Sequence, residues 1–199
     1  MLVQSMTEKE IHEIGHAFGY YDYGQETGMT AAFSGQERTA EYICAYVRGM
    51  LQGGFLHTIS GRGEGYIAYK LPKEKLGFKT LYPIAVGMLH NSTLERLVRF
   101  CMAIKRGGVS LRSSMDKKKE PYIFVGLVCV RERYQGQGYM RKVMDIVFSE
   151  GNRLRVPVIL ETDAKSKCDK YMHLGMELAG IRNIGEFGKL YDLIKYPET

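Results

Sequence analysis

The chain has 199 residues, enough for one domain with a full core, and its 45% hydrophobic and 25% charged fractions are those of an ordinary globular protein. No apolar run approaches the ~18 residues of a membrane span, and Met1 to Met6 lacks the basic and apolar regions of a signal peptide, so a cytoplasmic protein without membrane partners is expected. The net charge of +6 suits an anionic ligand such as a nucleotide; the basic residues are dispersed apart from Lys117-Lys118-Lys119, and no nucleic-acid motif accompanies them.

Cys44, Cys101, Cys129 and Cys168 are widely spaced, and no pair has the spacing of a zinc or redox site. Free thiols are expected, the first three as small core residues.

The apolar spacing of Ile11, Ile14 and Phe18 predicts a helix from Thr7 to about Tyr20, opened by a capping box of Thr7 and Glu10. A second helix spans Glu37 to Leu51, with Ala40, Ile43, Cys44 and Val47 on one face and Gly53-Gly54 as its stop. Strands follow at Phe55 to Ser60 and Tyr66 to Leu71, joined by a glycine-rich turn and ended by Pro72. Ser92 or Thr93 opens a helix with Leu94, Leu97, Val98, Cys101 and Ile104 expected inward; Arg112 to Glu120 reads as polar and irregular.

In the second half, Tyr122 to Val130 is a near-continuous apolar run, the pattern of a strand buried on both faces. An amphipathic helix follows from Gly138 to about Arg153, then a strand at Pro157 to Leu160 and a helix from Lys165 to Leu174 stopped by Gly175. Met176 to Ile181 and Lys189 to Lys195 read as closing strands. The order is that of a single α+β domain.

Between the long strand and the amphipathic helix lies Gln135-Gly136-Gln137-Gly138-Tyr139-Met140. Glycines there let the backbone turn sharply and approach a ligand, and the helix start offers free N–H groups and partial positive charge, a site suited to phosphate. The loop lacks the Gly-Lys-Ser/Thr of a nucleotide-triphosphate loop and the third glycine of a dinucleotide loop.

The loop resembles the acyl-CoA loop of the GNAT acetyltransferase superfamily, Gln/Arg-x-x-Gly-x-Gly/Ala, here Gln135-x-x-Gly138-x-Met140 with Met140 in place of a small residue. The likeness extends to Val130, five residues before Gln135, and to Tyr171, four residues before Gly175-Met176. It covers residues 122–196; residues 1–121 share only the order of elements. It implies three α/β/α layers around a mixed, mostly antiparallel sheet that splays beside the acyl-CoA site. Residues 1–121 would then form the acceptor region.

By that resemblance, acetyl-CoA would be the co-substrate, its pyrophosphate on residues 135–140 (Gln135, Gly136, Gln137, Gly138, Tyr139, Met140) and its pantetheine arm along Val128, Cys129 and Val130. Lys167 stands where relatives commonly carry a cofactor-touching Asn. The reaction would be direct acyl transfer to a neutral amine, small molecule or peptide, in a monomer or homodimer. Tyr171 would be the general acid, with Glu132 and Glu161 as candidate bases. The N-terminal helices and the loop between them would build the acceptor site, where Tyr20, Tyr21, Tyr23 and Glu26 offer aromatic faces and a carboxylate to an amine.

A competing motif is His12-Glu13-Ile14-Gly15-His16, a literal His-Glu-x-x-His extended to Asp22 in the manner of zinc proteases. Only eleven residues precede it, too few for the sheet that supports such a helix, so no metal is expected. A CoA-binding protein without turnover is the third reading.

Overall fold

The computed structural model describes residues 1–198. Strands β1 (Leu56–Thr58), β2 (Gly65–Lys70), β3 (Ile123–Val130), β4 (Val158–Thr162), β5 (Glu177–Asn183) and β6 (Lys189–Lys195) form one sheet in the spatial order β1-β2-β3-β4-β6-β5. Each corresponds to a run predicted from its apolar pattern. Among the described residues only β3 and β4 pair in parallel; the other neighbours are antiparallel. A parallel pair needs a long crossover, which α7 (Tyr139–Leu154) supplies.

The remaining helices are α1 (Glu8–Gly19), α2 (Thr30–Phe33), α3 (Gln36–Gln52), α4 (Phe78–Asn91), α5 (Leu94–Arg106), α6 (Leu111–Lys118) and α8 (Lys165–His173). Two cores flank the sheet. Ile14 of α1 and Val47 of α3 meet Leu56, Ala68 and Leu127 on one face. Val143 and Val147 of α7 and Tyr171 of α8 meet Ile67, Val125 and Leu193 on the other. This is the expected α/β/α layering, and each fully buried aliphatic side chain contributes about 2 kcal/mol.

Local signals explain most helix ends. The Thr7 hydroxyl accepts from the Glu10 amide at 3.3 Å, and the Glu10 carboxylate accepts from the Thr7 amide at 3.0 Å, the predicted capping box. Gly175 follows α8 with a left-handed φ of 95°.

Three expectations for residues 73–120 are corrected. No element was assigned to residues 78–91, yet α4 forms there. Pro83 lies inside it and masks its helical pattern. Packing on α3 holds it, since Gly49 of α3 and Gly87 of α4 allow contact too close for a side chain at either position. The segment expected to be irregular contains α6, capped by Ser110, whose hydroxyl accepts from the Ser113 amide at 3.1 Å, and anchored by buried Met115.

The inward face of α5 is also corrected. Leu97 is buried and Ile104 half-buried, whereas Leu94, Val98 and Cys101 are exposed. The helix is turned by Phe100, which packs edge-on against Phe187 at 5.2 Å. Cys101 is therefore not a core residue; Cys44, Cys129 and Cys168 are buried free thiols.

Candidate active site

Within β3, the alternation of side chains breaks. Ile123 and Val125 face the α7 layer, whereas Leu127 and Cys129 face the α1–α3 layer. Ala68 pairs with Leu127 and Tyr69 with Val125, leaving Gly126 as an extra residue, the signature of a β-bulge. Gly126 fits because a Cβ there would collide with the Tyr46 hydroxyl.

At the same point β3 leaves β4. Their parallel pairing runs from Ile123↔Val158 to Val125↔Leu160 and stops. From Gly126 to Val130 the strand keeps β2 on one side only. The expected splay is present, and it opens a cleft of about 660 Å³ between the strands. Residues of both cores line it: Phe100, Ile104 and Leu190 from one face of the sheet, Val128, Met140 and Tyr171 from the other. The cleft therefore passes through the sheet.

At one end of the cleft is the glycine loop. Gly136 and Gly138 have φ of 72° and 76°, the left-handed region that favours glycine, and a Cβ on either would meet open space. No side chain caps α7, and the amides of residues 136–140 donate to no group among the described residues. This row of free N–H groups at a helix start is an anion cradle. Gln135 and Gln137 turn back on the loop instead, donating to Val130 O at 3.1 Å and Arg133 O at 2.9 Å. Tyr139 stacks edge-on with Tyr134 at 5.4 Å and carries the Lys142 ammonium over its ring. Acetyl-CoA fits this donor set: the free amides suit its diphosphate and the unpaired edge of β3 suits its amide-bearing arm.

Tyr171 is buried beneath the splay and lines the cleft. Burial, followed by the nearby Asp163 carboxylate, Cys129 and Tyr21, pushes its phenol above the ordinary range, so it holds its proton. Cys129 also lines the cleft, but burial pushes its thiol up to about 12, which removes it as a nucleophile near neutral pH.

The two candidate bases are separated. Glu161 lines the cleft; one of its oxygens accepts from Arg182 at 2.7 Å, and Arg182 also binds buried Asp192 at 2.9 Å. Glu132 is exposed on the turn after β3 and lines an adjoining groove beside α1.

The side chains nominated to hold an amine are engaged within the protein. Tyr20 donates to Glu37 at 2.7 Å. Tyr21 and Tyr23 enclose the Lys167 ammonium, which lies 4.3 Å and 4.5 Å from their ring centres. Asp163 binds Lys167 at 2.8 Å, Tyr23 at 2.8 Å and the Met29 amide at 2.7 Å. Glu26 accepts from the Lys165 amide at 2.6 Å and from Tyr191 at 2.8 Å. These bonds pin the 20–29 loop onto α8 and β6. Lys167 thus reaches the cleft wall as the centre of an internal network, and Met29 is carried to the wall beside it.

The side chains of the His-Glu-x-x-His helix make contacts of other kinds. His12 and His16 are exposed on α1, and His16 stacks on Tyr20 at 4.3 Å. Glu13 accepts from Arg131 at 2.6 Å, and Asp22 accepts from the Gly24 amide at 2.8 Å. Among the described residues no group of three or more His, Cys, Asp or Glu is placed to hold a metal ion. Also among them, no helix is long and apolar enough to cross a membrane.

The sequence reading missed Phe100, Ile104 and Leu190 as cleft residues, because only the fold brings α5 and β6 together there. Gly126 carried a readable signal: a lone glycine inside a strand pattern marks a bulge or a close backbone approach.

No protein-family model matches the chain, and no curated protein matches it in sequence. Solved structures match its fold. Polyamine N-acetyltransferase of Drosophila melanogaster aligns at a TM-score of 0.57 and 12% identity, covering 98% of this chain and 100% of its own. Arylalkylamine N-acetyltransferase 2 of Aedes aegypti aligns at 0.57 and 11%, covering 98% and 97%. An N-acetyltransferase of Staphylococcus aureus aligns at 0.54 and 15%, covering 98% and 100%. The chain has the GNAT fold that the residues around Gln135–Met140 implied.

Proposed function

We propose that the chain is an N-acetyltransferase that moves an acetyl group from acetyl-CoA directly to an amine. The observation that carries this reading is the cleft through the sheet. It joins an anion cradle and a buried phenol on one side to an apolar chamber with a carboxylate on the other. The likeness to N-acetyltransferase structures whose names specify amines supports it.

Acetyl-CoA supplies the acetyl group as a thioester. The amides of residues 136–140 hold its diphosphate, and the free edge of β3 from Gly126 to Val130 aligns the arm and polarises the acyl carbonyl. Lys167 and Tyr21 close the wall beside the arm. The acceptor amine, neutral when it reacts, enters from the opposite face. The carbon–nitrogen bond forms as the carbon–sulfur bond breaks. Tyr171 gives its proton to the departing sulfur, and Glu161 receives the proton leaving nitrogen, directly or through water. Glu132, in the adjoining groove, is better situated to meet the acceptor as it arrives. All the cleft residues come from one chain, so the scheme holds for a monomer and for a homodimer. We assign it to the cytoplasm.

The test is a screen of acetyl-CoA against an amine panel, with thiol release and amide mass read together. The reading expects both with at least one amine. If acetyl-CoA raises the melting temperature but acetylates no amine, the protein is a CoA binder without turnover. If acetyl-CoA gives no shift and purified protein holds stoichiometric zinc, the protease reading replaces it.

A further inference from the structure

We infer that the acceptor is a monoamine with an apolar arm, aromatic or aliphatic, and not a polyamine; this rests on the transferase reading above. The acceptor end of the cleft is walled by Phe18, Met29, Phe100, Ile104, Leu127 and Leu190. Its polar equipment is sparse and mostly spent. The charged side chains lining the cleft are Glu161, Asp163, Lys167 and Lys170. Asp163 already accepts from Lys167, Tyr23 and the Met29 amide.

Glu161 is different. Arg182 holds one of its oxygens, and the other has no partner among the described residues. That leaves one anchoring point, which one amine satisfies. A second ammonium on the same molecule would find no free carboxylate in the chamber. It would meet either the apolar wall, where an unpaired charge is strongly disfavoured, or the ammonium of Lys167. In the adjoining groove Glu13 is occupied by Arg131, and Lys9 and Arg133 line the same groove as Asp22 and Glu132, offsetting their charge.

The apolar wall also explains the orientation of α5. The turn that exposes Val98 and Cys101 presents Phe100 and Ile104 to the cleft. Phe100 is braced by Phe187, so its ring is a fixed surface for an arm to lie against. An apolar arm gains here by leaving water, in a chamber that gives a peptide backbone few polar partners.

The experiment compares kcat/KM for 2-phenylethylamine and hexylamine with that for agmatine and spermidine, at saturating acetyl-CoA. The apolar monoamines are expected to lead by about tenfold or more. Phe100→Leu, which keeps an apolar side chain but removes the ring, is expected to raise KM for 2-phenylethylamine severalfold and leave KM for acetyl-CoA unchanged. Ile104→Glu supplies a second carboxylate and is expected to narrow or invert the preference toward agmatine. Equal or better turnover of the diamines by the unmodified protein overturns the inference while leaving the transferase reading intact. Acetyl-CoA binding with no amine acetylated defeats both.

Discussion

Tyr171 acts through what surrounds it. The fold buries its ring against β3, where Cys129 and Asp163 lie close enough to oppose its ionisation. A phenol kept protonated can donate to a departing thiolate. Tyr171→Phe keeps the ring and removes the donor. Steady-state kinetics should show kcat reduced about 100-fold, the lower range for loss of a general acid, with KM for acetyl-CoA little changed. An unaltered kcat would assign Tyr171 to packing alone. Asp163 has a different task. Burial alone would raise its pKa, but Lys167, Tyr23 and the Met29 amide outweigh burial and hold the carboxyl below the ordinary carboxylate range. Its contribution to stability is therefore present above its unfolded pKa of about 3.9 and is lost as pH falls through the lower folded value. Asp163→Ala should cost about 3 kcal/mol in denaturant unfolding at neutral pH, since Lys167, whose side chain is only 14% exposed, is left without its charged partner. The difference from the unmodified protein should shrink in acid.

The two decisive elements are both places where the backbone departs from regularity. The bulge at Gly126 turns β3 over and separates it from β4. Gly138 sets the left-handed entry to α7 that leaves its first amides free. Gly138→Val should strain the loop by about 1–2 kcal/mol and raise KM for acetyl-CoA with little effect on KM for the amine. Gly126→Val should collide with Tyr46 and lower both stability and kcat, as melting and turnover would report. All six strands were legible, because each is a short apolar run bounded by glycine, proline or a polar turn. The glycine loop was legible because its left-handed glycines and free amides belong to consecutive residues. Helix α4 was not, since Pro83 interrupts its pattern and its support is the close approach of Gly49 to Thr80 and of Gly87 to Ala45 across sequence. The face of α5 was misread because Phe100 answers to Phe187, a partner 87 positions away in the chain. The tyrosines of the 20–29 loop were recognisable as cation partners, but the cation is Lys167 of the same chain.

At the scale of the molecule, the sheet divides the work. On the proposed reading the α7–α8 layer and the glycine loop would meet the cofactor, and α1, α5 and the 20–29 loop would build the acceptor chamber; the splay between β3 and β4 is the one opening that joins them among the described residues. The network around Asp163 and Lys167 ties the two halves together at that opening, so damage there should affect both substrates. Direct transfer across the sheet makes the most exposed claim of this account, because it requires both substrates together and no acyl group held by the protein. Its most direct measurement is mass spectrometry of a single-turnover mixture of protein, isotopically labelled acetyl-CoA and 2-phenylethylamine. Label is expected on the amine nitrogen, with one free thiol per amide and the protein mass unchanged throughout. Label accumulating on the protein, or thiol released without any labelled amide, would contradict it.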